Sequence, residues 1–316
     1  YTGATDLANN LVRAGMRVVQ TIGVPVAGAA IDADAVVVAL KSRTAPVAEA
    51  VADSLAACRW LREHGAAQIY FKVCSTFDST AEGNIGPVTE ALLDELQADF
   101  AIVTPAFPEN GRTVFKGHLF VGDLLLSDSP MRQHPLTPMT DANLVRVMQA
   151  QCRTRRVGLI ERAVVARGAP AVRERMQALQ GQGVSLAIAD AIADDDLRVL
   201  AAAASELRVV VAGSGLAVGI PALHGLAPRA EAALLPPPRG ARAIVSGSCS
   251  TATQGQVAAF IAAGGAAFAV DPLRLAAGDD LAQQALDWAR SRLGDKPVLV
   301  YATADASAVK SVQAAL

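Results

Sequence analysis

Largely apolar runs without alternation recur along the chain, among them the all-apolar AVVVAL at 35–40 and the runs IYFKV at 69–73, FAIVT at 100–104 and LRVVVA at 207–212. A strand with one face in water alternates apolar and polar residues. A run without that alternation is buried on both faces and belongs in a parallel sheet covered by helices. Parallel neighbours cannot be joined by a tight turn, so each pair needs a crossover of about a dozen residues or more. Segments at 5–14, 46–63, 87–97, 142–151, 170–180 and 194–204 read as those helices, with Thr140 or Asp141 as the N-cap of the fourth. Further strands are expected at 16–21, 157–160 and 186–189. The rhythm breaks between 105 and 141. There the turn Glu109-Asn110-Gly111-Arg112 introduces a small hairpin of 113–115 and 118–121. Three prolines then stiffen a loop at 129–141 that suits a preshaped lid or wall.

A second βα series, with strands at 243–245, 267–270 and 298–301 and helices at 251–263 and 281–292, follows the stiff segment Pro236-Pro237-Pro238-Arg239-Gly240. The chain has 316 residues, of which 52% are hydrophobic, enough for two cores. The fold class expected is therefore α/β, with two domains, each a mostly parallel sheet flanked by helices, and an active site in the interdomain cleft. The boundaries expected are a first domain at 1–228, a linker at 229–241 and a second domain at 242–316. Tyr1 to Asp6 reads as the start of a helix whose preceding strand is missing, and Leu316 falls inside a helical pattern, so each domain is expected to lack a part.

Basic and acidic residues number 28 and 30 and are interspersed, giving a net charge of −2 and no sign of a nucleic-acid or membrane-surface partner. Aromatic residues, at 4%, are too few for base-stacking platforms. Cys58, Cys74, Cys152 and Cys249 are scattered without metal spacing, the single histidines at 64, 118, 134 and 224 form no triad or metal pattern, and no residue is assigned to a metal. No apolar run is long enough to span a bilayer and no signal-peptide pattern opens the chain. A soluble, cytoplasmic protein is expected.

The chemistry is expected to gather around the loop after strand 69–73, where Cys74, Ser75, Thr76, Asp78, Ser79, Thr80, Glu82 and Asn84 crowd into eleven residues. Open α/β sheets bind ligands at the carboxyl ends of their strands, and hydroxyls, an amide and a carboxylate suit a polyhydroxylated ligand. The plainer alternative, a turn that caps the next helix, explains a shorter loop better than this one. Ser42 and Arg43 follow strand 35–40 and should emerge on the same sheet edge. The arginine there is either a bidentate carboxylate clamp or a solvated surface charge. His134 is either a polar contact in the lid or a surface histidine. Two Gly/Ser turns, Gly213-Ser214-Gly215 and Ser246-Gly247-Ser248-Cys249-Ser250, are phosphate-site candidates, because a helix N-terminus and backbone N–H groups meet an anion there. Neither is a Walker A loop. The dinucleotide fingerprint at 213–219 is faint, since proline replaces the acidic residue expected about 20 positions on. A hydroxyl-rich pocket, a carboxylate-binding arginine and phosphate-type turns are the layout of a two-domain small-molecule kinase.

At these residues the sequence resembles the four-carbon acid sugar kinases. The likeness is carried by TGATD at 2–6, LKSRTAPV at 40–47, FKVCSTFDSTAEGNIGPV at 71–88, TPAFPENGRTVFKGHLFVGDLLLSDSPM at 104–131, HPLTPMTDANL at 134–144 and VSGSCSTATQGQV at 245–257, along essentially the whole chain. The resemblance implies an N-terminal acid-sugar-binding domain, a C-terminal nucleotide-binding domain, and ATP- and Mg2+-dependent phosphorylation of the terminal (C4) hydroxyl of a 3-oxo-tetronate. A downstream decarboxylase would act on the product, and a homodimer is the assembly expected. Carried over by position, Arg43 would meet the substrate carboxylate, while Ser42, Lys72, Asp78, Ser79, Asn84 and His134 would line the sugar site. Asp78 would accept the hydroxyl proton. Ser246, Gly247, Ser248 and Ser250 would contact ATP, and the Gly/Ser turn places Gly213 and Ser214 as further nucleotide-site candidates. The family's Ala-Asp-Asp string before the TGA motif, and its GGET-type and later Gly/Pro phosphate loops, fall outside these residues. A kinase for D-threonate or D-erythronate, a non-catalytic acid-sugar-binding module and a nicotinamide oxidoreductase stay open as alternatives.

Overall fold

The computed structural model describes residues 1–25, 31–77, 80–134, 137–234, 237 and 239–315. By internal packing the chain divides into two compact units, Tyr1–Leu234 and Leu235–Leu316.

The first unit opens with helix α1 (Thr2–Arg13), followed by the parallel pair β1 (Val18–Ile22) and β2 (Ala35–Ala39). Helix α2 (Val47–Glu63) leads to β3 (Ile69–Lys72), and α3 (Ile85–Glu95) leads to β4 (Ala101–Thr104). An antiparallel excursion of β5 (Arg112–Phe115), β6 (His118–Val121) and the two-residue β7 (Leu124–Leu125) follows. The parallel strands β8 (Arg156–Ile160), β9 (Val184–Ala189) and β10 (Val209–Ala212) complete the unit, joined through helices Ala169–Gly181 and Asp194–Ala203. Five strands pair in the order β3-β10-β4-β9-β8, all parallel. Every residue of β4 and β10 is buried, as their lack of alternation requires. The core gathers on both faces of these two strands, from Leu92 and Leu93 of α3 to Leu197 and Leu200 of Asp194–Ala203.

Helix α1 starts at Thr2 instead of Thr5, and two further helix starts differ from the sequence expectation by two residues. Helix α3 begins at Ile85 instead of Pro87, because a proline in the first turn lacks only an N–H that has no intrahelical partner. The helix expected from 142 begins at Leu144, capped by Asn143, whose side chain accepts the Arg146 N–H at 3.1 Å. Asp141 instead accepts the N–H of Asn143 at 2.8 Å and pairs with Arg146.

The β5–β6 turn, Lys116-Gly117, has positive φ at both residues (53° and 73°), the geometry of a tight two-residue hairpin. Its two N–H groups donate to the fully buried carboxylate of Asp190, at 2.8 Å each, and the Arg162 N–H donates to the same carboxylate at 3.0 Å. Burial pushes the Asp190 carboxyl above its ordinary range, against the pull of these donors.

In the second unit, strands β11 (Ala243–Ser246), β12 (Ala266–Ala269) and β13 (Val298–Tyr301) form a parallel sheet with β13 in the centre. Helix Thr251–Ala262 follows β11 directly, and Leu281–Arg290 precedes β13. Among the described residues no helix is long and apolar enough to cross a membrane.

Candidate functional site

In the first unit a cavity of about 750 Å3 lies between β2 and β3. Its walls are apolar, from Val36, Val37 and Val38 on one side to Ile69 and Phe71 on the other, and its cationic side chains are Lys41, Arg43 and Lys72. Among the described residues one carboxylate also lines it, that of Asp34, which Arg17 engages at 3.0 Å and holds below the usual carboxylate range. The cavity therefore presents positive charge inside low-dielectric walls, where an anion is favoured most strongly.

The loop carrying Ser42 and Arg43 is held from behind. The Asn84 amide donates to the carbonyls of Ser42 at 2.7 Å and Ala45 at 2.9 Å, with a longer contact to that of Arg43 at 3.3 Å. Asn84 is buried at the head of α3, so its position comes from the helix. It lines the cavity, but its two N–H donors are spent on backbone, and its part is to shape the loop.

Lys72 reaches the cavity from the carboxyl end of β3, with its side chain 15% exposed. Just beyond it the chain turns through Cys74 and Thr76, whose side chains hydrogen bond at 3.1 Å. Phe77 follows with φ 51° and a fully buried ring. A left-handed aromatic residue costs about 1–3 kcal/mol and persists only where its surroundings impose it, as at sites that hold a loop in one shape. Asp78 and Ser79 lie outside the described residues. His134 is not among the residues lining the cavity, and its Nδ1 accepts the Thr137 N–H at 3.1 Å within its own loop.

The two phosphate-turn candidates separate. Gly213 and Ser214 belong to the first unit and are buried there. A Cβ at Gly213 would stand 2.8 Å from the Pro105 carbonyl oxygen, and one at Gly215 would stand 2.6 Å from that of Ala106. The Ser214 hydroxyl donates to Asp6, and the Gly213 carbonyl accepts from the Tyr70 hydroxyl. These residues close the packing of β10 against the β4 turn, with the Gly213 N–H donating to the Thr104 carbonyl at 2.9 Å. Burial, with the Asp6 carboxylate as a second cause, keeps the Tyr70 phenol well above its usual range.

In the second unit, Gly247, Ser248 and Cys249 form an exposed loop at the carboxyl end of β11. Ser250 caps helix Thr251–Ala262, accepting the Thr253 N–H at 3.2 Å, and the Ser246 hydroxyl meets that of Thr303 at 2.7 Å. Gln254 donates to the Cys249 carbonyl at 2.9 Å and braces the loop from within the helix. An exposed glycine-containing turn at the N-terminus of a twelve-residue helix is chemically fit for a nucleotide phosphate. Thr303 carried no signal in the sequence, because it lies 57 residues from Ser246.

A family profile described as a sugar-binding N-terminal domain matches residues 1–220, and one described as a nucleotide-binding C-terminal domain matches residues 243–316. The chain is 56% identical to the 3-oxo-tetronate kinase of Pseudomonas fluorescens, over 99% of this chain and 73% of that protein. Identity to the 3-oxo-tetronate kinase of Burkholderia multivorans is also 56%, over 100% of this chain and 74% of that one. A crystal structure of a Haemophilus influenzae protein, 44% identical, superposes with a TM-score of 0.76 over 100% of this chain and 76% of its own.

Proposed function

The chain belongs to the four-carbon acid sugar kinase family, and from that premise we propose that it transfers the γ-phosphoryl group of ATP to the terminal C4 hydroxyl of a 3-oxo-tetronate. The observation that carries the substrate half of this reading is the cavity between β2 and β3, where Lys41, Arg43 and Lys72 stand among apolar side chains and neutral polar ones such as Ser42, Thr44 and Asn84. A small carboxylic acid fits that charge. Arg43 is suited to a bidentate grip on the carboxylate, and Lys72, a mobile point charge, to the substrate's uncharged oxygens. Asp78 and Ser79, by their place in the CSTFDST string, join the sugar site. His134 joins it only if the 129–141 loop brings it there.

Asp78 takes the proton of the C4 hydroxyl as that oxygen bonds to the γ-phosphorus and the bond to the β–γ bridging oxygen breaks, leaving ADP. Ser246, Gly247, Ser248 and Ser250 hold the nucleotide phosphates, the loop amides and hydroxyls donating. Mg2+ accompanies the triphosphate and supplies charge neutralisation. The product is a 3-oxo acid, whose carbonyl lies β to the carboxylate, and such acids lose CO2 readily. A decarboxylase is thus the class of enzyme to consume it, yielding a triose phosphate.

The test is a coupled ADP-release assay on the full chain with MgATP and a panel of threonate, erythronate and their 3-oxo derivatives. Turnover confined to a 3-oxo acid supports the proposal. Turnover on a reduced acid alone keeps the kinase and changes its substrate, and silence across the panel from folded protein sinks the kinase reading.

A further inference from the structure

The string Thr2-Gly3-Ala4-Thr5-Asp6 opens α1, and the substrate and phosphate roles above leave it without a task. Two of its residues, Gly3 and Asp6, meet Lys72. The Asp6 carboxylate stands 3.9 Å from the Lys72 ammonium. The same oxygen, Oδ2, accepts from the hydroxyl of Ser214, a residue with no exposed surface. The carbonyl of Ser214 is in turn held by the buried amide of Asn10, one turn further along α1, at 3.0 Å. Gly3 leaves the room in which the ammonium sits, since a Cβ there would lie 2.9 Å from Nζ.

A lysine ammonium is a point charge on four rotatable bonds and does not hold a direction by itself. Among the described residues the Asp6 carboxylate attracts it, a buried hydroxyl fixes that carboxylate, and a glycine admits the ammonium. Among the described residues lining the cavity, the other charged or titratable groups include Lys41, Arg43 and Asp34, as well as Tyr70, whose hydroxyl is engaged by the Gly213 carbonyl.

We infer that Asp6 and Ser214 form a positioning couple that aims the Lys72 ammonium into the substrate cavity, with Gly3 as the gap that admits it. Asp6 acts through Lys72 and is a positioning residue. The inference rests on the cavity being the acid-sugar site.

Two measurements on the full chain test it. The first needs no substrate: limiting acetic anhydride labels the lysines in competition, and mass spectrometry gives the labelling of Lys72 relative to Lys296. Losing the carboxylate frees the amine more often, so Asp6→Asn should raise that ratio about fivefold, Ser214→Ala should raise it less, and Asp6→Glu should bring it back toward the parent value. The second is steady-state kinetics. Asp6→Asn should raise KM for the 3-oxo-tetronate roughly tenfold and leave KM for ATP within about twofold, a split that general loosening does not produce. Gly3→Ala guards against a folding failure. Alanine is the stronger helix former, so helical content should hold or rise while the same split in KM appears.

Unchanged labelling in folded Asp6→Asn protein, or an equal rise in both KM values, would overturn the couple. If the parent protein turns over no acid sugar, the kinase reading fails by itself, and the labelling ratio still decides whether Asp6 governs Lys72.

Discussion

Arg43 stands on backbone that Asn84 holds, so the two residues separate binding from scaffold. Arg43→Ala should raise KM for the acid sugar about 10- to 100-fold, the worth of a charge-assisted bidentate contact, with the melting temperature unmoved. Arg43→Lys should recover only part, since an ammonium cannot reproduce the fork. Asn84→Ala removes the support, leaving the part-buried carbonyls of Ser42 and Ala45 without it, and should cost about 1–3 kcal/mol in denaturant unfolding while also raising KM. Equal stability for Asn84→Ala and its parent would refute the bracing role. The thiols give a separate check. Cys249 is exposed, whereas burial pushes Cys152 up to about 12. At mildly alkaline pH a thiol reagent should label Cys249 first and reach Cys152 only on unfolding, and MgATP should slow the Cys249 reaction if the phosphates sit on that loop.

The β5–β6 turn depends on one carboxylate, and Asp190→Ala leaves three backbone N–H groups without it. The expected loss is on the order of 3 kcal/mol, concentrated in hydrogen-exchange protection of β5 and β6. Because burial raises the folded-state pKa of Asp190, the folded protein binds this proton more tightly than the unfolded chain does. Its contribution is full below the unfolded carboxyl pKa and declines as pH rises through the raised folded value. The stability gap between parent and Asp190→Ala should therefore narrow over that window, and a gap that widens with pH would reverse the assignment. Strands β4 and β10 were legible in the sequence because double burial writes itself directly as unbroken apolar runs. The cap at Asn143 was not, since Thr140, Asp141 and Asn143 are all capable caps. The fold chooses among them through hairpin contacts, such as the Leu144 N–H donating to the Gly117 carbonyl at 2.8 Å. Gly213 is ambiguous for a related reason: a glycine needed where two backbones touch reads like one needed beneath a phosphate.

Across the whole molecule the charge is slightly negative while the cavity's own charges are mostly positive. The pull on an anionic substrate is therefore local and open to screening. Raising ionic strength about tenfold should raise KM for the acid sugar several-fold in the parent protein and distinctly less in Arg43→Ala; parallel responses would mean that the cavity charges do not steer binding. The cavity lining was legible where it is contiguous, as in Ser42-Arg43 and Lys72-Val73-Cys74, and contacts that join distant parts of the chain were not. Asp6 meets a serine 208 positions away, and Asn10 meets the same residue across 204. No window along the sequence contains both ends of such a contact. This separation also sets an order of events on the ribosome. At about 5–20 residues per second, α1 emerges roughly ten to forty seconds before the turn that fastens it. The growing chain must carry Asp6 through synthesis with its serine partner not yet made, and the helix that aims the pocket's lysine is among the last parts of its unit to be locked.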